Sequence, residues 1–180
     1  MLSQKIVKSL NAQINLEFYS SNLYLQMSSW SLNQGLDGSA AFLKDHAVDE
    51  MNHMQRLFTY VNECGSVAEL GQIDAPPTQF VSVQEIFEKT YEHELIVTAK
   101  INELVHLAFT EQDYSTFNFL QWYVAEQHEE EMLSKSILDK IKIIGMDGQG
   151  LYHFDRELKQ MIGTGINQAP TTNGQAPNTP

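Results

Sequence analysis

The chain has 180 residues, a hydrophobic fraction of 42% and a formal net charge of −12. This length favours one domain with a real core, and the acidic balance argues against a nucleic-acid partner or an anionic membrane surface. The single cysteine, Cys64, fits a reducing compartment. The sequence has no signal-like apolar core and no membrane-spanning segment, so we expect a cytoplasmic protein with no membrane partner.

The periodicity of apolar residues predicts an all-α fold with four long helices and a short fifth helix. The predicted helices cover residues 3–33, 39–63, 83–111, 116–144 and 151–161. Ser3 and Ser82 are candidate N-caps, and Gly145 ends the fourth helix. The connection of about 18 residues between helices 2 and 3 suits a four-helix bundle with one long crossover. Residues 1–162 form the expected domain, and the composition of 163–180 predicts a flexible tail.

Each long helix carries a glutamate on the stripe that should face the bundle core. Helix by helix, the stripe is Ile6, Leu10, Gln13, Glu17, Tyr24, Met27; Leu43, Ala47, Glu50, Met54, Leu57, Val61; Phe87, Thr90, Glu94, Val97, Ile101, Leu104, Ala108; Phe119, Tyr123, Glu126, Glu130, Leu133, Ile137. No lysine or arginine falls on it. One such acid could lie at a stripe edge by chance, but four buried carboxylates need neutralisation, and metal cations are the natural solution.

Glu50 and His53 lie three residues apart and therefore share one helix face. Glu-x-x-His is a ligand motif of dimetal helix bundles, in which other helices each supply a single glutamate. Helix 4 departs from this scheme because Gln127 and Glu130 form Gln-x-x-Glu. The predicted site is asymmetric: Glu50 bridges two positions, one formed with Glu17 and His53 and the other with Glu94 and Glu130. Such an oxygen-rich set suits iron or manganese.

Around these residues the sequence resembles the ferritin family, specifically the bacterial non-haem ferritins. The resemblance covers residues 1–160 and is carried by NLEFYSSNLYLQM, HAVDEMNHMQRLF, YEHELIV and FNFLQWYVAEQHEEEM. It implies a ferritin-like bundle that assembles into a hollow homo-oligomeric shell of about 24 subunits. It also implies a ferroxidase: Fe(II) is oxidised by O2 at a dinuclear centre in each subunit and stored as a ferric oxyhydroxide mineral.

The resemblance extends to residues beside the dinuclear centre. It implies a third iron site at Asp49, Glu126, Glu129 and Glu130, where Asp49 is one methylene shorter than the glutamate often found in the family. Tyr24 matches a tyrosine proposed as a hydrogen-bond partner or electron donor, and a merely buried tyrosine is an equal alternative. Gln127 is placed with the metal ligands because it occupies the fourth-helix motif.

The sequence also contains residues with more than one interpretation and is compatible with other functions. Met51 matches the haem-ligating methionine of bacterioferritins, but the missing second Glu-x-x-His argues for the non-haem group, so no haem is expected. Trp122 is assigned to packing. The remaining histidines are expected at the surface or behind the ligands: His46, His93, His106, His128 and His153. The alternative functions are a haem-containing bacterioferritin, another di-iron carboxylate oxidase, and a storage-only shell subunit without its own centre.

Overall fold

The computed structural model describes residues 2–162, and these residues contain five α-helices and no strand. The helices are α1 (Gln4–Asn33), α2 (Asp37–Glu63), α3 (Val83–Thr110), α4 (Tyr114–Ile144) and α5 (Gly148–Met161). The predicted all-α bundle with a short fifth helix is therefore confirmed. The predicted tail, 163–180, lies outside the described residues. Within the described part of the chain, no helix combines the length and apolarity that crossing a membrane requires.

Side chains that cap the helices explain where they begin. Ser3 accepts a hydrogen bond from the backbone N of Ile6 at 3.2 Å, and Ser82 accepts one from Glu85 at 3.1 Å, as predicted. The sequence prediction started three helices too late: α2 begins at Asp37 rather than at 39, and α4 and α5 also begin earlier than predicted. Asp113 and Asp147 cap them, so these helices begin at Tyr114 and Gly148 rather than at 116 and 151.

The helices pack as two hairpins, α1 along α2 and α3 along α4. The crossover between the hairpins runs along α1 and is held by two asparagines one turn apart. Asn11 accepts a hydrogen bond from the backbone N of Glu69 at 3.2 Å and donates to the carbonyl of Val67. Asn15 accepts from the backbone N of Gly71 at 2.7 Å and donates to the carbonyl of Glu69 at 3.1 Å. These bonds satisfy backbone groups of an irregular segment that has no strand partner.

Asp155 fastens α5 to the beginning of α2, whose N-cap residue Leu36 provides no side-chain cap. The carboxylate of Asp155 accepts hydrogen bonds from the backbone N of Gly38 at 2.9 Å and from that of Ser39 at 2.7 Å. These amides have no partner within the helix, and a negative charge at a helix N-terminus is favourable. A Cβ on Gly38 would lie 1.8 Å from the backbone oxygen of Asp155, so the close approach requires glycine.

Two apolar cores lie on either side of a layer of buried polar side chains. The first core joins the C-terminal halves of α1 and α4 to the N-terminal halves of α2 and α3 and includes Tyr24, Met27, Leu43, Phe87 and Ile137. The second joins the opposite halves and includes Ile6, Leu10, Leu57, Ile101 and Leu120. The layer between them contains the mid-helix glutamates.

The predicted core stripes of α1, α2 and α3 are buried, but only half of the α4 stripe is, namely Tyr123, Glu130 and Ile137. Phe119, Glu126 and Leu133 are only half-buried, and α4 instead buries the neighbouring face, which includes Thr116, Leu120, Gln127 and Ser134. Hydrophobicity misled the prediction because the buried face of α4 is itself largely polar.

Candidate metal centre

The predicted ligands from all four long helices lie in the buried layer between the two cores. Glu17, Glu50, Glu94, Glu130 and His53 are each no more than 4% exposed. Two groups have ligand atoms that all lie within 4.8 Å of one another: Glu17 with Glu50 and His53, and His46 with Glu50 and Glu94. Glu50 belongs to both groups, as the bridging role predicted from the sequence requires.

The first position is formed by α1 and α2. Gln13 donates a hydrogen bond from Nε2 to Oε1 of Glu17 at 2.8 Å, which orients this carboxylate. Burial raises the pKa of Glu17 from 4.5 to about 7, with hydrogen bonds from Glu50 and Gln13 acting against the rise. Burial and the charges of Glu94 and Glu17 hold the pKa of Glu50 well above its usual value. The protein therefore pushes these carboxyls toward neutrality when no cation accompanies them.

His53 is a neutral imidazole that faces Glu50. Its Nδ1 lies 3.5 Å from Oε2 of Glu50, and its ring packs edge-on against Trp122 with 5.3 Å between centroids. Burial lowers the pKa of His53 to about 4, and the charges of His46 and Arg56 add to the effect. A neutral imidazole has a free lone pair, which is the form that binds a metal ion.

Glu94, on α3, is held by two donors from other helices. The hydroxyl of Tyr24 donates to Oε1, and Nε2 of Gln127 donates to Oε2 at 3.0 Å. Gln127 thus presents a donor rather than an acceptor to the centre, and its contact favours a positioning role over metal ligation. Burial and the charges of Glu94 and Glu50 keep the pKa of Tyr24 well above 10, so its hydroxyl stays protonated.

His46 occupies the space between Glu94 and Glu130, where the sequence predicted no ligand. Its Nε2 lies 3.3 Å from Oε2 of Glu130 and 3.9 Å from Oε1 of Glu94. Burial by itself lowers the pKa of His46, but the charges of Glu130 and Glu94 outweigh it, and the net shift is upward. Burial also raises the pKa of Glu130, to about 7. A signal in the sequence could have found His46, because positions 46, 50 and 53 have helical spacing and share one face.

The buried side-chain atoms of the described residues that lack a hydrogen-bond partner all lie in this centre. They are Oε2 of Glu17, Oε2 of Glu50, Oε2 of Glu130 and Nε2 of His46. Leaving such atoms unpaired in a dry core costs free energy that a bound cation would return as coordination bonds. Four carboxylates also balance the charge of two divalent cations, so the donor set fits a pair of metal ions.

The residues predicted for a third site lie at the edge of the centre. Asp49 and Glu126 are half-buried and Glu129 is exposed. Burial raises the pKa of Glu126, and the negative charges of Glu129 and Asp49 raise it further. These three acids are therefore close enough to interact electrostatically. Among the described residues, however, they do not join a group of three ligand atoms within 4.8 Å. The third site remains a prediction.

Among the other histidines, three are exposed, as expected: His106, His128 and His153. His93 is buried beside Tyr19, and its Nε2 lies 2.7 Å from the hydroxyl of Ser20. That hydroxyl donates to the carbonyl of Leu16, so the histidine donates to it. His93 therefore lies behind the centre with a partner of its own.

A four-helix bundle that gathers carboxylates and imidazoles at mid-height belongs to the class of helical proteins that hold metal ions between their helices. Comparison with known proteins gives the family. Residues 7–144 match the ferritin-like domain of the ferritin family model. The chain belongs to the ferritin family, as the resemblance in the sequence predicted.

The chain also matches individual relatives over nearly their full lengths. The chain is 60% identical over 158 residues to a "Probable bacterial non-heme ferritin-like protein" of Haemophilus influenzae, covering 88% of this chain and 96% of the relative. It is 52% identical to the bacterial non-heme ferritin of Escherichia coli, and the match covers 89% of this chain and 98% of the relative. The solved structure of an open pore ferritin from Archaeoglobus fulgidus matches this chain with a TM-score of 0.86 and 42% identity. The match covers 88% of this chain and 98% of that structure.

Proposed function

We propose that this protein is an iron-storing ferritin whose subunits each oxidise Fe(II) with O2 and pass Fe(III) to a mineral. The observation that carries the proposal is the cluster of orphaned carboxylate oxygens from α1, α2 and α4, placed beside His53 in an otherwise closed core. Lysine and arginine are absent from the buried residues of the described chain, so no fixed side-chain cation balances the acids. Fe(II) is the substrate that this cluster would take up.

The chain's residues have separable roles in this reaction. Glu17 and His53 hold one Fe(II), Glu94 and Glu130 hold the other, and Glu50 bridges them. Hard anionic oxygens favour Fe(III) over Fe(II), so the same ligands that bind the substrate also promote its oxidation. A pair of Fe(II) ions supplies two electrons, which with two protons reduce O2 to the level of hydrogen peroxide.

Tyr24 and Gln127 orient Glu94 through the hydrogen bonds described above, and Gln13 orients Glu17. These donors fix the carboxylates in the metal-free protein and leave the remaining lone pairs available to iron. We assign them as positioning residues. Asp49, Glu126 and Glu129 would accept iron that leaves the pair, because the charges of Asp49 and Glu126 act on Glu130 and all three acids are more exposed than the proposed ligands.

Storage of a mineral requires an enclosed space, and we propose that the protein assembles into a hollow homo-oligomeric shell of about 24 subunits, a 24-mer. Large apolar side chains exposed on the isolated subunit support further burial in an assembly; among them are Leu32, Val67, Leu70, Val81 and Phe109. The names of the relatives as ferritins point the same way. A cytoplasmic location and the absence of haem remain predictions from the sequence.

The test is stopped-flow oxidation of Fe(II) by the metal-free protein in air, with a variant in which Glu50 and His53 are both changed to alanine. The wild type should show a fast phase that saturates near about two Fe(II) per subunit. The variant should lose this phase. The control changes Glu103 and His106 to alanine, since this pair has the same Glu-x-x-His spacing on the exposed face of α3.

Sedimentation of the same samples tests the shell, because about 24 subunits of 20.5 kDa give a particle of about 490 kDa. A fast phase that survives in the Glu50/His53 variant would contradict the assignment of the centre. An assembled shell without any saturating phase in the wild type would favour a storage-only subunit.

A further inference from the structure

A groove between α1 and α3 has as its floor a side chain that also contacts the metal centre. The groove has a volume of about 400 Å³, and its apolar lining residues are Ala12, Leu16, Ile96 and Leu104. Gln13 also lines the groove, although this glutamine is only 3% exposed. Nε2 of Gln13 donates to Oε1 of Glu17 at 2.8 Å, so the glutamine lies between the groove and a carboxylate of the centre.

We propose that this α1–α3 groove binds dioxygen and is the route by which dioxygen reaches the centre, with Gln13 as a movable floor. The inference rests on the proposed function, which requires two substrates, Fe(II) and O2. It adds the place at which the second substrate enters the bundle.

The charge of the groove favours a neutral molecule over Fe(II). Its charged lining residues are Lys100 and Glu103, which bond to each other with 2.8 Å between Nζ and Oε2. This pair leaves the mouth of the groove without a net charge, so the mouth does not concentrate cations. The acids assigned above to iron outside the pair are on other helices, namely Asp49 on α2 with Glu126 and Glu129 on α4. The two substrates would therefore approach the centre from different sides of the bundle.

The inner part of the groove is apolar, which suits a small apolar gas. Leu104 is 3% exposed and belongs to the second apolar core, and Leu16 packs against the same core. Such walls offer water few hydrogen-bond partners, so dioxygen can compete with water there. Ile96 is 52% exposed and lies at the opening. The groove thus leads from solvent to a buried apolar wall beside Gln13.

Gln13 can act as a movable floor because its side chain is long and unbranched. Its amide is held by the hydrogen bond to Glu17. Rotation about the side-chain torsions of Gln13 would break that bond and open a path to the carboxylates without moving a helix. The path would close again when the amide returns to Glu17, so water is kept out of the centre between openings.

The first test fills the groove with a side chain that does not contact the centre. Ala12→Phe adds a ring to the groove wall, and stopped-flow oxidation of saturating Fe(II) is measured at a series of O2 concentrations. The O2 concentration that gives half of the maximal rate should rise by about fivefold, while the rate at saturating O2 should stay close to that of the wild type. Anaerobic binding of Fe(II) should not change.

Ala99→Phe is the matched control, because Ala99 is an exposed alanine of α3 outside the lining of the groove. Its O2 dependence should equal that of the wild type. Sedimentation of both variants checks that each assembles as the wild type does.

Crystals of the metal-free wild type pressurised with xenon test the site without any variant, because xenon occupies apolar cavities. A xenon atom is expected between Leu16 and Leu104. A groove without xenon would overturn the inference, and so would an unchanged O2 dependence in Ala12→Phe or a loss of rate that saturating O2 does not restore. These results would leave the proposed function intact. A wild type without fast oxidation at any O2 concentration would instead overturn the proposed function.

Discussion

Replacing Glu17 by glutamine should stabilise the metal-free protein, and the gain should grow as the pH rises. Glu17 is buried in the layer between the two cores, with Oε1 bonded to Gln13 and Oε2 unpartnered. Burial is the main cause of the rise in its pKa from 4.5 to about 7. Glutamine has the same shape and remains uncharged, so it removes the cost of ionisation while nearly preserving the packing.

The unfolding free energy of the wild type falls as the pH rises, because Glu17 holds its proton more tightly in the folded protein than in the unfolded chain. Below pH 4.5 both states are protonated, and the stability associated with this group is fully present. As the pH rises through about 7, that stability is lost. The difference between the two pKa values corresponds to roughly 3 kcal/mol, of which roughly 2 kcal/mol falls between about pH 5.5 and about pH 8.

Urea unfolding of the metal-free protein, followed by circular dichroism in the presence of a chelator, measures this difference. Between the two pH values, the wild type should lose roughly 2 kcal/mol more unfolding free energy than Glu17→Gln does. Exposed Glu92, changed to glutamine, is the control and should follow the wild type. Identical pH dependence in wild type and Glu17→Gln would refute the reasoning. Added Zn²⁺ should then stabilise the wild type more than the variant, because Glu17 is a proposed ligand.

Two further predictions concern contacts outside the ligand set. Gly38→Ala should lower the unfolding free energy by roughly 1 to 3 kcal/mol, because the new methyl group would overlap the backbone of Asp155 and displace α5. Thermal unfolding of the two proteins measures the loss of stability. Gly148→Ala, where a Cβ meets nothing within 4 Å, is the control and should have little effect. Tyr24→Phe should keep the fold but weaken Zn²⁺ binding by about tenfold, because Glu94 loses a donor that orients it. Calorimetry measures the affinity, and unchanged binding would show that the tyrosine only packs.

Much of the architecture could be predicted because three of the four helices obey a simple pattern. In α1, α2 and α3 the buried stripe is mostly apolar, with Gln13 and Thr90 as its polar members besides the glutamates, so periodicity located both the core and the acid. In α4 the buried face contains Thr116, Gln127 and Ser134, while the half-buried face contains Phe119 and Leu133. Hydrophobicity therefore selected Phe119 and Leu133 in place of buried polar residues, although Tyr123 and Ile137 of the predicted stripe are buried.

Spacing predicted the candidate ligands and the resemblance placed Tyr24 beside them, but neither predicted the positions of His46 and Gln13. His46 lies beside the stripe position Ala47, and a stripe centred on Leu43 and Ala47 assigns a histidine at 46 to the side of the helix. The contacts of Gln13 with Glu17 and of Gln127 with Glu94 depend on side-chain directions that a helical pattern does not contain. Such contacts join different helices or successive turns, and only three-dimensional packing determines them.

The division of the interior into two apolar cores has a consequence for how the bundle moves. In the metal-free protein, mutually repelling acids separate the two halves at mid-height, so we expect each half to open with some independence. Ions bound by all four helices would join the two halves at this layer. Backbone amides near the centre should then exchange with solvent far more slowly once metal is bound, and opening of one end should require opening of the other.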